Sequence, residues 1–222
     1  MSPEKDDIKQ EFRYFEEIFS DYATILFIDR SLKCPQQMVN DREIIEGCAR
    51  HDRKAQQILY DKYSRFLLGI CLRYAGDKAE AEDILQDSFL KIFFSIKDFS
   101  GTGSFAGWLR KVAVNTSITH YHKNLKHRYH IEIEEYVSVE TGISSFEEDF
   151  FTSDELFKVL NELPAGYRMV FNLYAIEGYK HKEIAKILGI DTNTSKSQYS
   201  RAKAVLRSKL ERLGRLKSKY TE

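Results

Sequence analysis

The sequence predicts an all-α protein: two small helical domains joined by a flexible acidic linker, the second domain a helix-turn-helix. Three observations predict it. Apolar residues recur at steps of three and four through most of the 222 residues, the spacing of amphipathic helices. That periodicity fails over residues 131–153, which are acidic and hold no basic residue. Beyond them, two helical patterns meet at Gly189-Ile190, with small Ala185 before the turn, so the second helix can approach the first closely.

The elements follow in order. Ile58, Leu59, Tyr63, Phe66, Leu67, Ile70 and Tyr74 form the stripe of a first helix, which Gly76 ends. A second runs from about Lys78 to Phe94 with Ile84, Leu85, Ile92 and Phe93 inward. Ser100 to Ser104 is a turn, and Ser104 caps a third helix carrying Phe105, Trp108, Leu109, Val112 and Ile118. The spacing of Trp108 with Phe105 and Val112 favours core packing over an exposed wedge. Thr152-Ser-Asp-Glu155 matches a capping box and opens a helix lined by Leu156, Val159, Leu160 and Leu163, closed at Pro164. A helix with Val170, Phe171 and Tyr174 stops at Gly178. A short helix over 181–188 and a long one from about Thr194 to Leu213 complete the pattern. The expected division is an N-terminal extension (1–40), a first domain (41–130), the linker (131–153) and the helix-turn-helix domain (154–222).

Composition bounds the class. Hydrophobic residues make up 42% and charged residues 31%, the balance of a soluble globular protein. No run of about 18 apolar residues exists, which excludes a membrane-spanning helix. Ala23 to Ile28 is too short, and too close to acidic residues, for a secretory signal. Three widely spaced cysteines, Cys34, Cys48 and Cys71, fit neither a disulfide framework nor a zinc knuckle, so a reducing cytoplasm is expected.

The formal net charge is zero, but charge is segregated. Residues 1–40 carry −3, residues 41–130 carry +4, residues 131–157 carry −9 and residues 158–222 carry +8. Two basic blocks around an acidic connector suit two modules that touch a polyanion. The long helix has no acidic residue between Thr192 and Leu210, yet holds Lys196, Arg201, Lys203, Arg207 and Lys209. Beside a helix-turn-helix signature, that composition favours a phosphate-lined groove over a merely solvated face. From Phe99 to His130 there is again no acidic residue, while Arg110, Lys111, Lys123, Lys126 and Arg128 and four histidines are present. Such a surface suits a displaced single strand. The histidines lack the cysteines or carboxylates of a zinc site, so no metal is expected.

Three stretches in this order carry a resemblance. Ala81-Glu-Asp-Ile-Leu-Gln-Asp-Ser-Phe-Leu-Lys-Ile-Phe93, Phe105-Ala-Gly-Trp-Leu-Arg-Lys-Val-Ala-Val-Asn-Thr116, and Leu163-Pro164 through Leu206 resemble the extracytoplasmic-function (ECF) sigma factors of bacterial RNA polymerase. The resemblance spans about residues 41–213. It implies that the first stretch docks on the clamp helices of core polymerase. Asp83, Gln86 and Asp87 share one helix face there, and Phe89 is the expected apolar anchor. It implies that the second stretch reads and melts the minus-ten element. Asn115, whose amide both donates and accepts, and Thr119 one turn on stand at the extruded base, with Arg110, Lys111 and Lys123 on the backbone. It implies that the third reads the minus-thirty-five element: Lys196, Ser197 and Gln198 at bases, Arg201 and Lys203 at base or phosphate, His181 and Lys182 at a phosphate. Lys180 replaces the family's usual small hydroxyl residue. Ser195 replaces its valine, which weakens packing under the recognition helix.

The expected partners are core RNA polymerase, promoter DNA and an anti-sigma factor, membrane-anchored in many relatives. No cofactor or small-molecule substrate is expected. The alternative is an autonomous helix-turn-helix regulator that acts without polymerase. An enzyme has little support, since no nucleophile with a base partner, phosphate loop or metal triad occurs. Phe12, Phe15, Phe19, Tyr22 and Leu26 form an amphipathic stripe in the N-terminal extension. Met38-Val-Asn-Asp41 reads as the family's ordinary beginning, so Met38 is the expected native start. The rival is a real extension that packs on the body or a regulator.

Overall fold

A computed structural model describes residues 40–128 and 152–220. The N-terminal stripe, Met38, Cys34 and most of the acidic linker lie outside the described residues. The chain divides into two compact units, and among the described residues both are helical with no strand.

The first unit starts with α1 (Asp41–Ala49), whose N-cap is Asn40: its side chain accepts from the Arg42 amide. The sequence reading missed this short helix, because Gly47 and Cys48 occupy two of its three buried positions and leave only Ile44 as an obvious apolar mark. Gly47 is there for close approach: a Cβ on it would stand 2.5 Å from the Ala55 Cβ on the next helix. Asp41 fixes the same junction, accepting from Lys62 Nζ and Tyr63 Oη, each at 2.8 Å.

Helix α2 (Arg53–Tyr74) is the axis of this unit. It packs on α1, on α3 (Lys78–Ser95) and on α4 (Phe105–Arg128), and α3 packs on α4. Leu59, Leu67, Cys71, Ala81, Ile92, Leu109 and Ala113 are fully buried between them. Ile58 lies off the α2 stripe and stays 38% exposed. Asp77 caps α3 through the Glu80 amide, and a short 3-10 turn (Ile96–Asp98) leads toward Ser104, which accepts from the Gly107 amide at the start of α4. Trp108 is half-buried in a ring cluster with Phe99 and Phe105. Cys48 and Cys71 are free and fully buried; burial pushes their thiols up to about 11 and about 12, so both stay protonated and unreactive.

The second unit opens with α5 (Ser153–Asn161), capped by a reciprocal box between Thr152 and Glu155. Leu156, Val159, Leu160 and Leu163 are buried as a set. Helix α6 (Ala165–Phe171) runs into one turn of π-helix (Asn172–Ile176), which no sequence periodicity announced. Then come α7 (His181–Leu188) and α8 (Thr192–Tyr220). Gly189 joins them at φ 68°, a left-handed conformation that favours glycine. Helix α8 gathers α5, α6 and α7 around Phe171, Leu173, Ile184, Ala202 and Leu206. Among the described residues, no helix is long and apolar enough to cross a membrane.

Lys180 holds the N-cap position of α7 with φ −74° and ψ 149°, and the Glu183 carboxylate accepts from its amide. A lysine ammonium has no lone pair to accept from the helix, so half of the box is missing. Lys180→Ser is expected to stabilise the second unit by about 1 kcal/mol, read as a higher Tm; an unchanged or lower Tm contradicts it.

Candidate functional site

The α3 surface divides along its length. Ile84, Leu85, Ser88, Phe89 and Ile92 are buried toward α2 and α4. Asp83 and Gln86 are exposed. Phe89 is only 4% exposed and packs on Tyr60 and Phe93, so it is a core residue and the expectation that it anchors a partner is corrected. The apolar groups that face outward are Leu90, 56% exposed, and Phe94, 77% exposed. They lie at i+7 and i+11 from Asp83, so one stripe carries a carboxylate, an amide and then two bare apolar side chains. The inward pattern of α3 gave the signal: once Ile84, Ser88 and Ile92 are inside, Leu90 and Phe94 must be outside.

Asp87 sits at the edge of this stripe and is not free. Its Oδ2 lies 2.7 Å from His120 Nε2 on α4. Two turns back along α3 and one turn on along α4, Asn124 Nδ2 donates to Glu80 Oε1 at 2.5 Å. Two polar bridges therefore join α3 to α4. Asp87 is thus tied to α4 while it borders the exposed stripe of α3.

On α4, Leu109, Ala113, Thr116 and Ser117 are buried, and the Thr116 and Ser117 hydroxyls donate back to main-chain carbonyls four residues earlier. Lys111, Asn115, Thr119 and Lys123 are exposed at steps of four along the opposite side, with Arg110 half-buried beside them. The Thr119 hydroxyl donates to the Asn115 main-chain carbonyl at 2.9 Å, and Asn115 itself is exposed. Lys126 and Arg128 fall where side chains are not among those described.

In the second unit, Lys182, Lys196, Ser197 and Arg201 are exposed, and Gln198 and Lys203 are half-buried. Arg201 lies 3.4 Å from the Tyr167 hydroxyl, Lys203 Nζ stands 4.7 Å over the Tyr199 ring, and the Ser197 hydroxyl donates to the Thr194 carbonyl. Both cations thus have aromatic neighbours within the second unit. His181, expected at a phosphate, is half-buried with one face and one ring nitrogen engaged inside the unit. Its ring stacks on Tyr174 at 4.3 Å and 11°, and its Nδ1 lies 3.0 Å from the Ser195 hydroxyl. Burial, and then the charges of Lys196 and Lys203, hold this imidazole below its ordinary range. Ser195 is fully buried, so a polar bond between α7 and α8 stands where looser packing was expected. Each of these helices also begins on its own carboxylate: Glu183 accepts from the Lys180 amide, and Asp191 from the Asn193 amide.

The geometry defines a two-module protein with a mixed acidic and apolar stripe on α3 and cation-bearing helices on α4 and α8. Comparison with known proteins gives it a family. The family described as Sigma-70 region 2 matches residues 59–126, and Sigma-70, region 4 matches residues 153–206, together more than half of the chain. The chain is 25% identical over 193 residues to the RNA polymerase sigma-H factor of Pseudomonas aeruginosa, covering 78% of this chain and 95% of that one. It is 26% identical over 187 residues to the ECF RNA polymerase sigma-E factor of Haemophilus influenzae, covering 80% and 98%. A solved structure of a Bartonella quintana sigma factor in complex with the anti-sigma factor NepR is 24% identical, covers 66% of this chain and 91% of that one, and overlays with a TM-score of 0.42. The chain belongs to the sigma-70 family, as a sigma factor of the extracytoplasmic-function type. It is an initiation factor that directs RNA polymerase to specific promoters, and the reading as an autonomous helix-turn-helix regulator is not favoured.

The exchange of roles on α3 is directly measurable. Phe89→Ala is expected to cost about 3–5 kcal/mol of folding stability, whereas Phe94→Ala is expected to stay within about 0.5 kcal/mol of the parent. Chemical denaturation of the two variants checks this; equal losses would return Phe89 to the surface.

Proposed function

We propose that this sigma factor fastens to core polymerase through the α3 stripe of Asp83, Gln86, Leu90 and Phe94, with Asp87 contributing from its edge. The observation that supports this most is the pairing of an exposed carboxylate with the most exposed large apolar side chains of the described residues on a single helix face. A carboxylate steers toward basic residues on the clamp helices, and the apolar pair is desolvated on contact. Residues 41–130 act as the core-binding and minus-ten module, 131–153 as an acidic linker that threads a basic channel of the polymerase, and 154–222 as the minus-thirty-five module.

At the minus-ten element, Asn115 and Thr119 receive an extruded base while Arg110, Lys111 and Lys123 hold the displaced strand. Unstacking costs a few kcal/mol, offset by these contacts once polymerase is bound. At the minus-thirty-five element, Lys196, Ser197, Gln198 and Arg201 meet the groove, and Lys182 and Lys203 meet the backbone. The protein itself makes and breaks no covalent bond; chemistry belongs to the polymerase. It works in the cytoplasm, on the nucleoid. An anti-sigma protein is the expected antagonist, acting by covering the α3 stripe.

The decisive experiment is reconstitution. Added to core polymerase, the full chain is expected to form a stable complex and to start transcripts at discrete sites that core alone ignores. Leu90→Ala with Phe94→Ala is expected to weaken core affinity about tenfold or more, and Asp83→Ala about threefold, both measured by fluorescence titration. Full affinity in the double variant would remove the docking proposal.

Asn115→Ala is expected to impair opening rather than closed-complex formation. Permanganate reactivity of minus-ten thymines should fall while the closed complex stays near its parent affinity; equal losses in both would argue against base capture.

A further inference from the structure

We propose that His181 is a positioning residue for the recognition helix: its ring, held between Tyr174 and the buried Ser195 hydroxyl, sets how α8 is presented to the minus-thirty-five element. This rests on the proposed role of α8 as the reader of that element.

The argument starts from what joins α7 to α8. Gly189 is the covalent hinge, and a left-handed glycine fixes a turn but carries no side chain to brace it. Ile184, Ala185 and Leu188 of α7 are buried, which supplies adhesion without direction. The directional contact is the bond between His181 Nδ1 and Ser195 Oγ at 3.0 Å. Ser195 lies in the first turn of α8, immediately before Lys196, Ser197 and Gln198. A shift at Ser195 therefore displaces the residues that face DNA. The far side of the His181 ring is fixed by Tyr174, stacked at 4.3 Å, and Tyr199 closes a third side at 5.8 Å. Tyr174 belongs to the π-helical turn, so the ring ties that turn to α8 as well as α7 to α8.

The surroundings of the ring disfavour its charged form. Tyr174 faces it from the π turn, and Tyr199, Lys196 and Lys203 face it from α8. Lys180, Lys182 and Glu183 adjoin it in sequence. Both α8 lysines oppose a positive charge on the ring, and burial opposes it further. For a base held below its ordinary range, the stabilisation is fully present above the unfolded value near 6.5. It is lost as pH falls through the lower folded value. The brace should thus loosen in mildly acidic solution, where the DNA phosphates and the lysines are unchanged in charge.

The test uses holoenzyme reconstituted from core polymerase and the full chain, on two promoters that differ only in an intact or scrambled minus-thirty-five element. The readout is the ratio of the two closed-complex affinities, which cancels effects of pH or mutation on the polymerase and on the first module. His181→Ala and Ser195→Ala are each expected to lower the ratio about fivefold at pH 7.5, the size of one buried hydrogen bond. The double variant is expected to lower it no further, because the pair acts as one contact. His181→Asn keeps a nitrogen or oxygen near the Nδ1 position and cannot take up a proton. It is expected to restore most of the ratio and to hold it constant from pH 7.5 to 5.5, while the parent ratio falls over that range. Circular dichroism melts confirm that each variant is folded.

A loss with His181→Ala but not with Ser195→Ala would mean that the ring touches DNA itself, and would overturn the proposal. So would multiplying losses in the double variant, or a parent ratio that does not change with pH. A parent ratio of one would overturn the assignment of α8 along with the inference built on it.

Discussion

Successive side chains on an α-helix are set about 100° apart, so a helix that buries one flank has no choice about what it shows on the other. That constraint governs all three helices that matter here. On α3, burial of Ile84, Ser88, Phe89 and Ile92 turns Asp83, Leu90 and Phe94 outward. On α4, burial of Leu109, Ala113, Thr116 and Ser117 leaves the Lys111, Asn115, Thr119 and Lys123 row bare. On α8, burial of Ser195, Tyr199, Ala202 and Leu206 turns Lys196, Ser197 and Arg201 to solvent. In each case the core determines the working face, and the axial packing of α2 and α8 determines the core.

This explains which parts were legible in the sequence. The long helices of both units, the capping box at Thr152 and the glycine turn at Gly189 rest on local rules, and they were visible as periodicity, caps and punctuation. The exposed positions of Asp83, Gln86, Lys111, Asn115, Lys196 and Arg201 follow from the same periodicity. What escaped were contacts between elements. Phe89 lies on the inward flank that the α3 pattern marks, and its contact with Tyr60 of α2 shows that it serves the core rather than a partner. Asp87 reads as a solvated carboxylate until His120, 33 residues away, is brought against it. His181 at a helix start reads as a phosphate ligand until Ser195 and Tyr174 claim its ring. Helix α1 was missed for a local reason: its contact surface is a glycine and a cysteine, residues chosen for closeness rather than for apolar bulk.

The bridges between α3 and α4 give the first unit a character beyond stability. Half-exposed pairs of this kind contribute little to folding, on the order of 0–1 kcal/mol. They span the proposed working faces: Asp87 borders the exposed stripe of α3, and His120 follows Thr119 directly on α4.

The paired carboxylates at the starts of α7 and α8 have a consequence for how tightly the second module can hold a duplex. Glu183 and Asp191 each take one main-chain amide at a helix start and place a negative charge beside the others, which disfavours a phosphate there. In the proposed mode the grip falls mainly to flexible ammonium and guanidinium groups, each displacing roughly one condensed cation from the duplex. Such an attachment is steep in ionic strength and light in fixed contacts. It suits a subunit that must let go of upstream DNA once elongation begins.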